Sequence, residues 1–192
     1  MTQLNEIFGI DEGWLCGAEH CPSPNFNQRP QACEPSLLVI HNISLPPARF
    51  GGGYIKDFFL NRLDINAHPY FATIAELQVS AHLLIERSGH IVQFVAFDQR
   101  AWHAGQSVYC GIDNCNDFSI GIELEGTDTT PYTEQQYLQL ARVAAALIGH
   151  YPQMRTEQIT GHSDIAPQRK TDPGPAFNRD YFYRLLTQEM QG

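Results

Sequence analysis

The segment Ser36-Leu37-Leu38-Val39-Ile40-His41 decides how the rest of the chain is read. An unbroken apolar run of strand length, ending at a histidine, predicts a buried central strand. Beyond it, Leu45-Pro46-Pro47 and Gly51-Gly52-Gly53 make a loop incompatible with regular structure. Residues 54–63 then carry Ile55, Phe58, Phe59 and Leu63 on one side, the pattern of a short amphipathic helix. A second short helix is expected over 69–77. Residues 79–85 and 91–97 are β-rich, and Glu86-Arg87-Ser88-Gly89-His90 between them suits a hairpin. Residues 118–125 alternate strictly: Ile120, Ile122 and Leu124 face one way, Gly121, Glu123 and Glu125 the other. Thr133 and Gln136 form a capping box ahead of the longest helix. Its apolar stripe runs Tyr137, Leu140, Ala141, Ala144, Leu147, Ile148, Tyr151, and Pro152 stops it. A short strand over 158–160 and a last helix over 179–190 complete the chain. On the other side of the deciding segment, residues 1–35 are rich in Pro, Asn and Cys without a sustained period. They are expected to form an irregular N-terminal arm. The fold class is α/β: a single domain over 1–192 with a central mixed β-sheet flanked by α-helices.

Composition narrows the function. The formal net charge is -9 and no basic run occurs. Neutralising phosphates needs a basic stripe, so nucleic acid is not the expected partner. An anionic membrane or wall surface is disfavoured for the same reason. A small diffusible substrate fits better. The N-terminus has neither the basic start nor the apolar core of a signal peptide, and no segment is apolar enough to span a bilayer. A cytoplasmic location is expected. The five cysteines, Cys16, Cys21, Cys33, Cys110 and Cys115, are an odd number. They are expected as reduced thiols rather than a disulfide framework or a metal site, since their C-x4-C spacing misses the usual zinc pattern.

The chemistry gathers at strand ends. His41 and His162 each directly follow a predicted strand, in Val-Ile-His and Ile-Thr-Gly-His, and Asp172 stands in the Pro/Gly-rich loop after His162. Polar groups at such ends are where α/β domains commonly build sites. Two neutral imidazoles and one carboxylate, with a fourth position left open, are a standard catalytic zinc set. Alternation puts Glu123 and Glu125 on the same strand face and does not choose between them. Asn42 is a candidate for either substrate contact or a strand-end cap. His82 is read as a structural core histidine, with a cleft role as the alternative. Trp102 and His103, in a loop with Gly105, are candidates to stack on and bond a sugar, against plain packing. His68 reads as a turn residue and His20, His90 and His150 as solvated; Arg49 and Arg100 are left open as partners for substrate carboxylates.

The segments LLVIHNISLPP (37–47), VSAHLLI (79–85), AWHAG (101–105), NDFSIGIELEGTD (116–128) and TGHSDIAPQRKTDPGPAF (160–177) resemble those of the N-acetylmuramoyl-L-alanine amidases related to peptidoglycan recognition proteins and phage lysozyme-type amidases. Within that family they resemble the cytoplasmic amidases of cell-wall recycling, which act on 1,6-anhydro-muropeptides. The resemblance covers about residues 10–187. It implies one zinc ion per chain held by His41, His162 and Asp172. It also implies Glu123 as the catalytic glutamate, in preference to Glu125, and Lys170 as a lysine near the zinc that steadies negative charge. Asn42, Trp102 and His103 are carried as substrate-binding candidates, and the substrate expected is a small muropeptide met by a monomer. The same fold serves non-catalytic recognition modules, but those lack metal ligands that are all present here. A lytic enzyme of the intact wall calls for export or a basic surface, and neither is visible.

Overall fold

The computed structural model describes residues 8–191. Its main sheet has six strands: β1 (Glu19–His20), β2 (Leu37–Ile43), β3 (Leu83–Ile85), β4 (Ile91–Gln93), β5 (Ser119–Glu125) and β6 (Ile159–Gly161). They lie in the order β6-β2-β5-β3-β4-β1. All neighbouring pairs are parallel except the β3–β4 hairpin, where Ile85 faces Ile91. The sheet is therefore mixed, with β2 and β5 inside it, as their apolar runs predict.

Each face has its own cover. The helices are α1 (Tyr54–Phe59), α2 (Glu134–His150), α3 (His162–Ile165) and α4 (Arg179–Gln191). On one face Leu38, Ile40, Ile120, Ile122 and Leu124 meet the stripe of α2 and Phe182 and Leu186 of α4. Burying such side chains contributes about 1.5–3 kcal/mol each. Thr133 caps α2 by accepting from the Gln136 N–H at 3.2 Å, and the Gln136 side chain accepts in return from the Thr133 N–H at 3.1 Å. On the other face Leu37 and Val39 pack with Ala104, Cys115 and Ile165. Leu84 and Val92 form a further cluster with Ile55, Phe58 and Phe59 of α1.

Some elements are shorter than the sequence pattern suggests. Helix α1 stops at Phe59 rather than 63, because Asn61 takes a left-handed conformation at φ 56°. Residues 69–77 supply only a 3-10 helix, Pro69–Ile74, capped by His68, whose Nδ1 accepts from the Tyr70 N–H. The N-terminal arm carries short strands within its described part. Glu19–His20 joins the sheet edge, and Phe26–Gln28 pairs antiparallel with Gln99–Ala101. All five cysteines are free thiols.

Candidate metal centre and cleft

Register builds the centre. In the parallel pair β2–β5, His41 lies opposite Glu123. The parallel pair β2–β6 brings the start of α3, and with it His162, beside the same strand end. The loop after α3 returns Asp172 to the two imidazoles. His41 Nδ1 lies 2.9 Å from His162 Nδ1 and 3.1 Å from Asp172 Oδ2. His162 Nδ1 lies 3.0 Å from the same carboxylate oxygen. Both histidines are buried. His162 Nε2–H donates to the Ala104 carbonyl at 3.0 Å, so the neutral ring presents a bare lone pair at Nδ1.

The electrostatics agree with that geometry. Burial holds His41 down at about 4, against the pull of the Asp172 carboxylate. Burial works to raise Asp172, but its close contacts with the His162 and His41 rings outweigh it and keep the group far below the ordinary carboxylate range. At neutral pH His41 is thus a neutral imidazole beside an ionised carboxylate. Electron-rich atoms face one another at contact distance with no proton between His162 and Asp172. Such a set is unfavourable alone and suits a divalent cation. Among the described residues, His41, His162 and Asp172 are the group that could hold a metal ion.

Beside them opens a cleft of about 380 Å³. Its lining combines Phe58, Phe59, Tyr70, Ile74, Leu77 and Trp102 with the polar Asn42, His103, Glu123 and Lys170. Glu123 Oε2 is buried and has no hydrogen-bond partner. Burial and the nearby Asp172 carboxylate push Glu123 well above the usual carboxylate value, opposed only by Lys170. Glu125 is differently placed: its carboxylate accepts from the Gly51 N–H at 2.5 Å and the Arg87 N–H at 3.1 Å. Glu125 thus holds two loops, while Glu123 keeps an unpartnered oxygen beside the cleft.

The other sequence candidates divide. Asn42 reaches across the strand ends to donate to Asp128 Oδ1 at 2.8 Å, on the cleft rim. Trp102 lines the cleft and is pinned by its indole N–H donating to Asn27 Oδ1 at 2.7 Å. His103 lies behind His41, its two ring nitrogens 2.9 Å from His41 Nε2 and 3.1 Å from Ser119 Oγ. His82 is fully buried, and its Nδ1 accepts from the Gly121 N–H, which is the structural role expected of it. Arg100 pairs with Asp117, and His90 with Glu19, away from the cleft. Sequence inspection did not single out Ser119, Asn116 or Arg29. Ser119 and Asn116 organise the loop behind His41. Arg29 buries its guanidinium against the carbonyls of Phe97, Asn116, Asp117 and Ser119. An arginine in a Pro/Asn-rich arm carries no local signal of such a destination.

The model of the N-acetylmuramoyl-L-alanine amidase family, Amidase_2, matches residues 31–175, a span that contains every member of the centre just described. The chain belongs to that amidase family. Among amidase relatives, the 1,6-anhydro-N-acetylmuramyl-L-alanine amidase AmpD of Enterobacter cloacae is 58% identical over 178 residues, covering 93% of this chain and 95% of that protein. A crystal structure of an AmpD selenomethionine derivative superposes with a TM-score of 0.90 at 60% identity, over 92% of this chain and 98% of that one. The amidase AmiD from E. coli is known in complex with the substrate anhydro-N-acetylmuramic acid-L-Ala-D-gamma-Glu-L-Lys. It is similar at a TM-score of 0.57 and 31% identity, over 82% of this chain and 60% of that one. These amidases bear out the expected family and mixed-sheet architecture.

Proposed function

We propose that this chain hydrolyses the amide bond between 1,6-anhydro-N-acetylmuramic acid and L-alanine in muropeptides, with one zinc ion held by His41, His162 and Asp172. The observation that carries the proposal is the meeting of those three side chains at the mouth of a cleft that also holds an unpartnered buried glutamate. The substrate class is supported by the similar 1,6-anhydro-N-acetylmuramyl-L-alanine amidase AmpD and by the AmiD complex. Bound zinc supplies Lewis acidity, polarising the amide carbonyl and making water available as a nucleophile at neutral pH.

The chain's own residues do the rest. Glu123 Oε2 takes the proton of the attacking water and returns it to the alanine nitrogen as the C–N bond breaks. Its proton affinity, raised by burial and by Asp172, suits it to hold the proton between the two halves of that transfer. Lys170, on the same cleft, stabilises negative charge developing on the carbonyl oxygen. Trp102 offers an aromatic face to the sugar, and Asn42 an amide at the rim. The proposed setting is a monomer in the cytoplasm, in peptidoglycan recycling, and the five free thiols suit such a reducing compartment.

The test is mass spectrometry of an anhydromuramyl tripeptide incubated with the zinc-loaded protein. Release of the anhydro-sugar and the intact tripeptide is expected. Binding without cleavage would move the chain to the recognition-module class, and cleavage between the amino acids would refute the bond assignment.

A further inference from the structure

We propose that His103, backed by Ser119, is a positioning residue that keeps the metal-facing nitrogen of His41 free of its proton; this rests on the metal-site reading above. A neutral imidazole carries one N–H. His41 Nδ1 lies 3.1 Å from the ionised Asp172. Left to choose, the proton would settle at Nδ1, donating a charge-assisted hydrogen bond to that carboxylate and closing the position to a metal. An acceptor at Nε2 competes for it, and the group there is His103 Nδ1, 2.9 Å away, with the two rings edge-on at 84°. His103 Nδ1 accepts only if its own proton sits on Nε2, and Ser119 Oγ lies 3.1 Å from that atom. In the proposed chain Ser119 Oγ accepts from His103 Nε2–H, and His103 Nδ1 accepts from His41 Nε2–H.

Two further observations point the same way. The neighbouring residue does the matching task for the other imidazole, since the Ala104 carbonyl accepts from His162 Nε2–H. Asn116 Oδ1 accepts from the backbone N–H of both His103 and Ala104, at 3.1 and 2.8 Å, so one loop delivers both supports together. Gly121 makes room for the arrangement, because a Cβ there would come within 2.4 Å of the His103 ring. With both ring nitrogens engaged by protein, His103 has none left to bond a sugar. The proposal therefore gives His103, which lines the cleft, a positioning role in place of the sugar contact expected from its loop context.

The experiment measures zinc affinity by chelator competition, and records nitrogen-15 shifts of the histidine rings in the zinc-loaded wild type. The shifts should place a proton on Nε2 of both His41 and His103. His103→Ala should bind zinc about 10- to 100-fold more weakly, and Ser119→Ala should move the same way by less. If His103→Ala does not fold, Ser119→Ala and the wild-type shifts decide. A proton on His103 Nδ1, or variants that bind zinc within about twofold of wild type, overturns the proposal. A wild-type protein that binds no zinc overturns the metal-site reading with it, which separates the two failures.

Discussion

Glu123 and Glu125 share a strand face, yet their surroundings give them opposite uses. Two backbone N–H groups satisfy Glu125, whereas Glu123 keeps an oxygen buried without a partner. Glu123→Gln keeps the shape and removes the proton exchange. It should cut kcat on the order of a hundredfold or more at unchanged zinc content, checked by turnover alongside metal analysis. An equal loss in Glu125→Gln with its loops intact would undo the assignment. Two buried histidines also make a pH prediction. Burial holds His41 at about 4 and His82 at about 3, below their ordinary 6.5. Between pH 6.5 and 4 the unfolded chain therefore binds more protons than the folded one, so stability rises with pH through that window. The metal-free protein should show a urea midpoint that falls as pH drops from about 7 to about 5, and a flat midpoint would contradict it.

At the scale of elements, β5 is the organising piece. Ser119 meets His103, Gly121 leaves room for its ring, Glu123 faces the cleft and Glu125 ties down two loops. The opposite row, Ile120, Ile122 and Leu124, is core. The two-residue period made this division legible in the sequence, down to which face is polar. What each polar residue touches was not legible, because His103, Gly51 and Arg87 arrive from distant loops. Helix α2 was legible in more detail, since its cap and stripe are local patterns. Thr133→Ala should cost about 1 kcal/mol by urea denaturation, and no change would mean that the cap is redundant. Helix α1 was read too long because apolar spacing continues past Asn61, while the backbone does not.

For the whole molecule, the arm and the site are parts of one structure. Ser23 and Asn25 hydrogen-bond the Phe59 carbonyl, Asn25 also donates to the Val79 carbonyl, and Asn27 holds Trp102, so the arm fixes the cleft's apolar wall. Burial lowers Arg29 to about 10, which still leaves it charged at neutral pH among backbone carbonyls. Arg29→Met would strand those carbonyls and should cost about 3 kcal/mol or more, read by urea denaturation. A stability within about 0.5 kcal/mol of wild type would show that the arm is dispensable. The most direct test of the metal-dependent amidase takes one protein sample through three states: zinc-loaded, chelator-stripped and zinc-restored. Cleavage of the anhydromuramyl tripeptide, followed by mass spectrometry, should be present, lost and recovered in that order, with about one zinc per chain in the active states. Undiminished cleavage by the stripped protein, or cleavage that survives His162→Ala with no metal bound, would contradict a centre built on His41, His162 and Asp172.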